Sequence, residues 1–233
     1  MCGRIIQSGG PELPGLKIHL GTPDDSRIKK PRYNGAPSQD LRVIRRHRDT
    51  GEDRVDLLRW GLIPFWVKEP NPKTKPINAT AERVASAPMF KSAYAKRRCI
   101  VPVNGFFEWK AIKGAKAKQP FAIGMSDGRP FGLAGIWENW KHPETEEWLR
   151  TFCIITTKAN ELVAQIHDRM PVIIPPESYD RWLANVDLDP LDLLVPYPSK
   201  LMRMWPISTR VNKPENDDPT ILDPLDDASA PLL

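Results

Sequence analysis

Apolar and polar positions alternate over many short stretches of this 233-residue chain, and only a few stretches carry a helical pattern. Segments 41–46 and 54–60 are apolar-rich and flank a charged turn, which predicts two short strands. Further strands are predicted at 98–103, 119–125, 130–137 and 148–157, with a last one at 201–206. Helical composition covers 80–95, interrupted by Pro88, and a short piece at 159–167. Two more short helices are predicted at 176–184, opened by Pro175-Pro176-Glu177-Ser178, and at 189–194. Residues 5–38 read as loop, punctuated by Gly9, Gly10, Pro11, Pro14, Gly15, Gly21 and Pro23. Segment 62–78 is predicted to be irregular, because its prolines cannot donate to a helix or a ladder. The pattern predicts an α+β fold: a single mixed domain with a curled, barrel-like, mostly antiparallel sheet core and short flanking helices. No internal repeat and no linker divides the chain before residue 213.

Composition adds limits. A hydrophobic content of 40% and eight tryptophans supply one substantial core. No apolar run approaches the length of a membrane span, and the first residues lack a signal-peptide pattern, so no membrane partner is expected. Cys2, Cys99 and Cys153 are odd in number and scattered, which argues against a disulfide framework and for a reducing, cytoplasmic setting. No Cys/His spacing suits zinc, so neither a metal nor a cofactor is expected.

Charge changes the picture more. Residues 214–233 contain six acids and no Lys or Arg, so the net +5 of the chain leaves +11 on residues 1–213. That excess predicts a polyanionic partner, nucleic acid first, against the plainer reading of an evenly spread solubility charge. The division predicted is a folded domain over 2–213 and a disordered acidic, Pro/Asp-rich tail over 214–233.

Candidate chemistry begins at Cys2. If Met1 is removed, this residue carries a free α-amine and a thiol together, with ordinary pKa values of about 7.7–8.0 and about 8.5. An aldehyde condenses with such an amine to a Schiff base, and the sulfur then closes a five-membered thiazolidine. Other segments stand out: Arg59-Trp60-Gly61-Leu62-Ile63-Pro64-Phe65-Trp66, Asn78-Ala79-Thr80-Ala81-Glu82, Gly105-Phe106-Phe107-Glu108-Trp109 and His167-Asp168-Arg169-Met170-Pro171. Trp60 reads as core. Glu108 lies among aromatic residues that would raise its pKa and suit it to acid/base work, or it faces outward from an alternating strand. Asn78 caps the following helix or serves a site. His167 is a structural histidine or a proton carrier. Cys99 and Cys153 sit in apolar strands and read as inert.

Taken in order, from Cys2 to about Trp205, these segments resemble the SOS response-associated peptidase (SRAP) family, whose members handle abasic sites in single-stranded DNA. The resemblance implies that mature Cys2 is a covalent nucleophile, that Asn78 sits in the active site, that Glu108 is the acid/base and that His167 assists proton transfer. It places Arg4, Trp66 and Arg169 along the DNA path. The family pattern reads Asn-Ala-Arg where this chain has Asn78-Ala79-Thr80, so a phosphate contact is lost or supplied by Arg83. The implied partner is single-stranded DNA containing an abasic site, bound by a monomer. The implied location is the bacterial cytoplasm, at the nucleoid during repair, or a eukaryotic nucleus. Two alternatives remain open: an N-terminal-nucleophile peptidase or amidohydrolase, and a non-enzymatic single-strand binding module.

Overall fold

A computed structural model describes residues 2–20, 26–69, 73–112, 114, 117–184 and 189–225. In chain order the strands begin with β1 (Ile5–Gln7), β2 (Ile18–Leu20), β3 (Arg32–Gly35), β4 (Asp40–Arg46), β5 (Asp53–Trp60), β6 (Asn78–Thr80) and β7 (Arg98–Val103). They continue with β8 (Gly105–Lys110), β9 (Gln119–Met125), β10 (Phe131–Lys141), β11 (Trp148–Lys158), β12 (Arg169–Pro171), β13 (Ile173–Ile174) and β14 (Met202–Pro206). The α-helices among the described residues are short: α1 (Ala81–Val84), α2 (Lys91–Lys96) and α3 (Tyr179–Leu183).

Five strands close a barrel. The order β11-β10-β7-β4-β5 is antiparallel throughout, and a parallel pairing of β5 with β11 completes the ring. Leu41, Val43, Leu58, Trp60, Val101, Leu133, Phe152 and Ile154 belong to the core cluster of this barrel. A second sheet, in the order β14-β9-β8-β1-β3, packs beside it and adds Cys2, Ile5, Phe106 and Ile123 to the same cluster. The expected architecture, a single mixed domain with a barrel-like core, holds.

Strand β11 organises the site. Arg59 and Trp60 of β5 pair with Thr151 and Phe152, and Asn78–Thr80 of β6 pair with Ile154–Thr156, both in parallel. The two strands therefore follow one another along β11, and the described residues between them, 61–69 and 73–77, have their two ends joined. Leu62 N–H donates to Pro76 O across that join (3.0 Å). Proline keeps the segment from pairing, while Asn78 is fixed by the ladder at its end.

Both faces of the second sheet are buried. Phe106 faces the barrel, whereas Phe107 joins a separate cluster with Ile6, Ala122, Ile207, Val211 and Ile221. Burying each phenylalanine contributes roughly 1.5–3 kcal/mol, so the two fix the register of β8. A slip of one residue would turn Glu108 away from Cys2. Gly105 permits the approach of β8 to its neighbour, since a Cβ there would meet Ile123 O at 2.6 Å.

Several expectations need correction. The region 5–38 holds β1, β2 and β3 within its loops, and β6, β8, β12 and β13 were not predicted. Except for β8 these strands span two to four residues, too short to show a period, and β8 is buried on both faces so that no alternation shows. Segment 159–167 forms only a 3-10 turn at Val163–Gln165, because Asn160 Oδ1 accepts from Val163 N–H and the chain turns back into β12. The acidic tail does not begin at 214: through Leu225 it is packed on the domain. Ile221 is fully buried, Trp205 Nε1 donates to Leu222 O (2.8 Å), and Asp217 ion-pairs with Arg32 (3.3 Å). Burial of Ile221 and the three partners of Asp217 offset the ordering entropy that composition alone suggested would win. Residues 226–233 of that predicted tail lie outside the described residues.

Candidate active site

Cys2 lies at the start of the chain ahead of β1, fully buried between the barrel and the second sheet. Asn78 Nδ2 donates to Cys2 O at 2.8 Å, which ties β6 to the amino-terminal segment. Asn78 Oδ1 is also buried and has no protein donor among the described residues. The capping reading of Asn78 fails, because Thr80 occupies that position in α1 and makes no side-chain cap.

Glu108 faces inward. It shares the face of Phe106 on β8 and is 3% exposed, so the outward-facing alternative is excluded. Burial pushes its carboxyl up to about 7, against the lowering pull of the positive amino terminus, the Trp109 N–H and Lys118. Burial also pushes the Cys2 thiol well above its usual range, and the negative charge of Glu108 raises it further. The amino terminus lowers the pKa of both groups.

His167 belongs to the same electrostatic neighbourhood. Partial burial lowers its pKa first, and repulsion from the amino terminus lowers it further, against the raising charge of Asp168. Arg169 N–H donates to His167 Nδ1 at 2.9 Å, so in the neutral ring the proton sits on Nε2. Asp168 Oδ1, 2.9 Å from Nδ1, is the partner of the imidazolium form. Asn78 thus bonds Cys2, the Glu108 charge acts on the Cys2 thiol, and the amino-terminal charge acts on Cys2, Glu108 and His167 alike. No group of three or more His, Cys, Asp or Glu with metal-site geometry occurs among the described residues.

The basic and aromatic residues divide. Trp66 and its neighbour Phe65 are about half exposed on the proline-rich segment, and Arg83 is exposed on α1. Arg169 is already engaged: it grips Glu82 with two bonds (2.7 and 3.0 Å) and donates to Thr156 O (2.6 Å). Such a partly exposed pair is worth at most about 1 kcal/mol, so a phosphate can displace Glu82. Arg4 is not a free cation. One guanidinium nitrogen donates to Asn34 Oδ1 and to Val211 O, each at 2.6 Å, and the guanidinium lies 5.8 Å from the Trp109 ring centre.

Sequence reasoning missed the other half of that clamp. Asn34 is fully buried, and its Nδ2 donates to the carbonyls of Val211, Lys213 and Asn216. Asp217 Oδ1 accepts from Tyr33 N–H and Asn34 N–H, and Trp109 Nε1 donates to Asn212 Oδ1. Segment 211–217 therefore holds both strands of the site, β1 beyond Cys2 and β8 beside Glu108. Partners separated by about 180 residues leave no local signal.

A family model described as SOS response associated peptidase (SRAP) matches residues 1–214. The chain belongs to the SRAP family. A relative named abasic site processing protein YoqW, from Bacillus subtilis, is 41% identical over 196 residues, covering 83% of this chain and 86% of that protein. The abasic site processing protein HMCES of Gallus gallus is 31% identical over 227 residues, covering 84% of this chain and 67% of its own length. A crystal structure of a Bacteroides thetaiotaomicron protein superposes with a TM-score of 0.79 at 30% identity, covering 91% of this chain and 92% of the other. The SRAP match stops at Pro214, so the part of the clamp supplied by Asn216 and Asp217 lies beyond it.

Proposed function

We propose that this SRAP protein captures abasic sites in single-stranded DNA by a covalent bond through Cys2, after removal of Met1. One observation carries the reading: the residue that would bear both amine and thiol is buried, with its carbonyl held by Asn78 and a carboxyl of raised pKa acting on it. A pair of titratable groups pushed upward together in a dry site is the arrangement expected of acid/base chemistry. Relatives of this chain carry the name abasic site processing protein.

Chemistry follows from the protonation states. Glu108, half protonated near pH 7, gives a proton to the ring oxygen of the closed sugar and takes one from its 1′-hydroxyl, which opens the aldehyde. The Cys2 amine adds to C1′, and loss of one water leaves the imine. His167 in its imidazolium form, with Nδ1–H on Asp168, delivers through Nε2 the proton that this departing water needs and then takes the N–H proton of the carbinolamine as the neutral imine forms. The thiol is protonated at this stage, so its proton must leave as sulfur bonds to C1′; the Glu108 carboxylate takes it and the ring nitrogen receives it. The balance is one water released and one S–C and one N–C bond formed. Asn78 Oδ1, buried and without a protein donor among the described residues, accepts from a sugar hydroxyl. Elimination at the 3′ phosphate, a lyase reaction, competes only while the imine is open.

Substrate choice follows from the surface. Phe65 and Trp66 offer rings on which unpaired bases stack, worth roughly 1–3 kcal/mol per base and tolerant of sequence. Arg83 and Arg169 face phosphates once Glu82 is displaced. The active unit in this reading is a monomer, and it needs Met1 removed, whether by an aminopeptidase or by the protein itself.

Intact mass of the protein, before and after incubation with a single-stranded oligonucleotide containing one abasic site, tests the reading. The expected result is a Met1-free protein with a denaturation-stable adduct one water lighter than the sum of its parts. Met1-free protein that forms no adduct overturns it. In Cys2→Ser the amine remains but ring closure is weak, so the adduct should survive denaturation only after reduction of the imine with borohydride.

A further inference from the structure

A basic concavity among the described residues shares none of the lining of the site just described. It is a cavity of about 920 Å³ on the outer side of the barrel, between the end of β4, α2 and β10. Seven Lys or Arg side chains line it, and they fall into two groups. The first group is consumed by the fold. Arg45 pairs with Asp56 (2.6 Å), Arg46 with Asp53 and Asp180 (2.9 and 2.8 Å), and Arg97 with Glu138 (2.9 Å). Arg98 is spent on the carbonyls of Tyr94, Trp182 and Ala184.

Arg48, Lys91 and Lys96 form the second group. They are exposed around the cavity and have no carboxylate partner among the described residues. The acid that shares the lining, Asp189, accepts the hydroxyl of Tyr94. Three unneutralised cations stand on one rim above a wall that already holds its own charges in pairs. The wall also contains the half-buried Trp137 ring, and Asn139, whose Oδ1 is buried with no donor among the described residues. Cations outside and an aromatic ring within, already stacked against Arg45 at 4.9 Å, are what a nucleotide chain needs: phosphates to the rim, a base to the wall.

Continuity with the reaction centre selects the occupant. Ala85 lines the cavity and lies seven residues after Asn78, so the two are at most about 25 Å apart. The helical rise across α1 shortens that further. From the other side, the Phe65 ring reaches to 5.7 Å from the guanidinium of Arg97, a residue of the cavity. The segments that leave Asn78 and the exposed aromatic loop therefore meet at this rim. We propose that the cavity binds the phosphate backbone of the strand flanking the abasic site, as a second nucleic-acid contact separate from the crosslinking centre. The proposal rests on the DNA reading above. A strand held at Cys2 is tethered within reach, so a weak contact here is occupied through effective concentration rather than intrinsic affinity.

The test uses the full chain with Arg48→Gln, Lys91→Gln and Lys96→Gln together, all exposed positions that carry no fold contact. A second variant neutralises Lys29, Arg129 and Lys200, exposed cations outside this cavity, and controls for net charge. Binding of a long undamaged single strand is followed by fluorescence anisotropy at several salt concentrations. Loss of three phosphate contacts should flatten the slope of log K against log salt by about 2, and the control should leave it unchanged. Equal slopes in wild type and the cavity variant overturn the proposal, and so does equal flattening by the control. Crosslinking of a very short abasic oligonucleotide, too short to reach the rim, is measured alongside and should be the same in all three proteins. Absence of that crosslink in wild type overturns the covalent reading, while the slope still decides the cavity.

Discussion

Cys2 and Cys99 are both fully buried and belong to one core cluster, and burial drives both thiols well above their ordinary pKa. By exposure alone neither would be called reactive. What separates them is the company of each sulfur. Cys99 sits inside the barrel with its Sγ against Gly135, where even an added Cβ would come to 2.9 Å, and among the described residues Arg45 is the charged side chain that acts on it. Cys2 meets a carboxyl of raised pKa, an amino terminus and the amide of Asn78. Burial makes a cysteine inert where nothing nearby moves a proton; beside an acid poised near neutrality it keeps the thiol protonated until the moment of ring closure. In the proposed reaction a protonated thiol leaves the first nucleophilic step to the amine and the second to sulfur.

The largest effect breaks the comparison directly. Cys2→Ala should abolish the stable adduct, read by intact mass. Cys99→Ala should form it at the wild-type rate and show only a loss of about 1 kcal/mol in urea unfolding, the usual cost of a small core change. Comparable losses of adduct from both would remove the distinction between the two environments.

Glu108→Gln comes next. Removing the acid/base should slow crosslinking by about 10²–10⁴-fold without weakening affinity for undamaged strands. The wild-type rate should fall as pH rises through about 7, where the acid form of Glu108 is lost, and the residual Gln rate should lack that step. Stability supplies a second reading of the same group. Its folded pKa lies above the ordinary 4.5, so between 4.5 and about 7 the native state binds more protons than the unfolded chain. Stability contributed by Glu108 is complete below 4.5 and is lost as pH rises through about 7, so Glu108→Gln should be the more stable protein at pH 8. A less stable variant at that pH would show that the carboxylate is well solvated and Cys2 no drier than the surface.

Legibility in the sequence followed the range of the interactions. The barrel strands β4, β5, β7, β10 and β11 each carry enough residues for the apolar pattern to show, and they form where that pattern placed them. β1, β3, β6 and β8 carry or frame the site yet span three to six residues, and their pairing is decided by partners far along the chain. Cys2, Asn78, Glu108 and His167 could be picked out because each sits in a motif that resembles a known family. For Glu108 the local sequence left two orientations open; only burial of both faces of the second sheet chose between them. Arg4 shows the converse: the resemblance placed it along the DNA path, and its bonds to Asn34 and Val211 depend on a chain reversal that no local pattern encodes. The acidic composition of 214–225 concealed Ile221 and Asp217, one apolar contact and one three-way acceptor that outweigh it.

That clamp gives the smallest and most discriminating effect. Asn34→Ala removes one partner of Arg4 and the Asn34 donor to the Asn216 carbonyl, while Lys213 O keeps its bond from Asn216 N–H, which should cost about 1–3 kcal/mol of stability. Asp217→Asn keeps an oxygen for Tyr33 N–H and Asn34 N–H and loses the ion pair with Arg32, so it should cost less than about 1 kcal/mol. If the clamp positions the Cys2–Arg4 segment, Asn34→Ala should slow adduct formation several-fold at saturating DNA, with affinity for an undamaged strand unchanged. Asp217→Asn should restore most of the rate. Alkylation of Cys99 in the native protein should stay as slow as in wild type, because nothing in the clamp reaches the barrel interior. Faster Cys99 labelling together with a proportionate fall in DNA affinity would mean that Asn34 merely holds the fold together, and that Cys2 owes its reactivity to Glu108 and Asn78 alone.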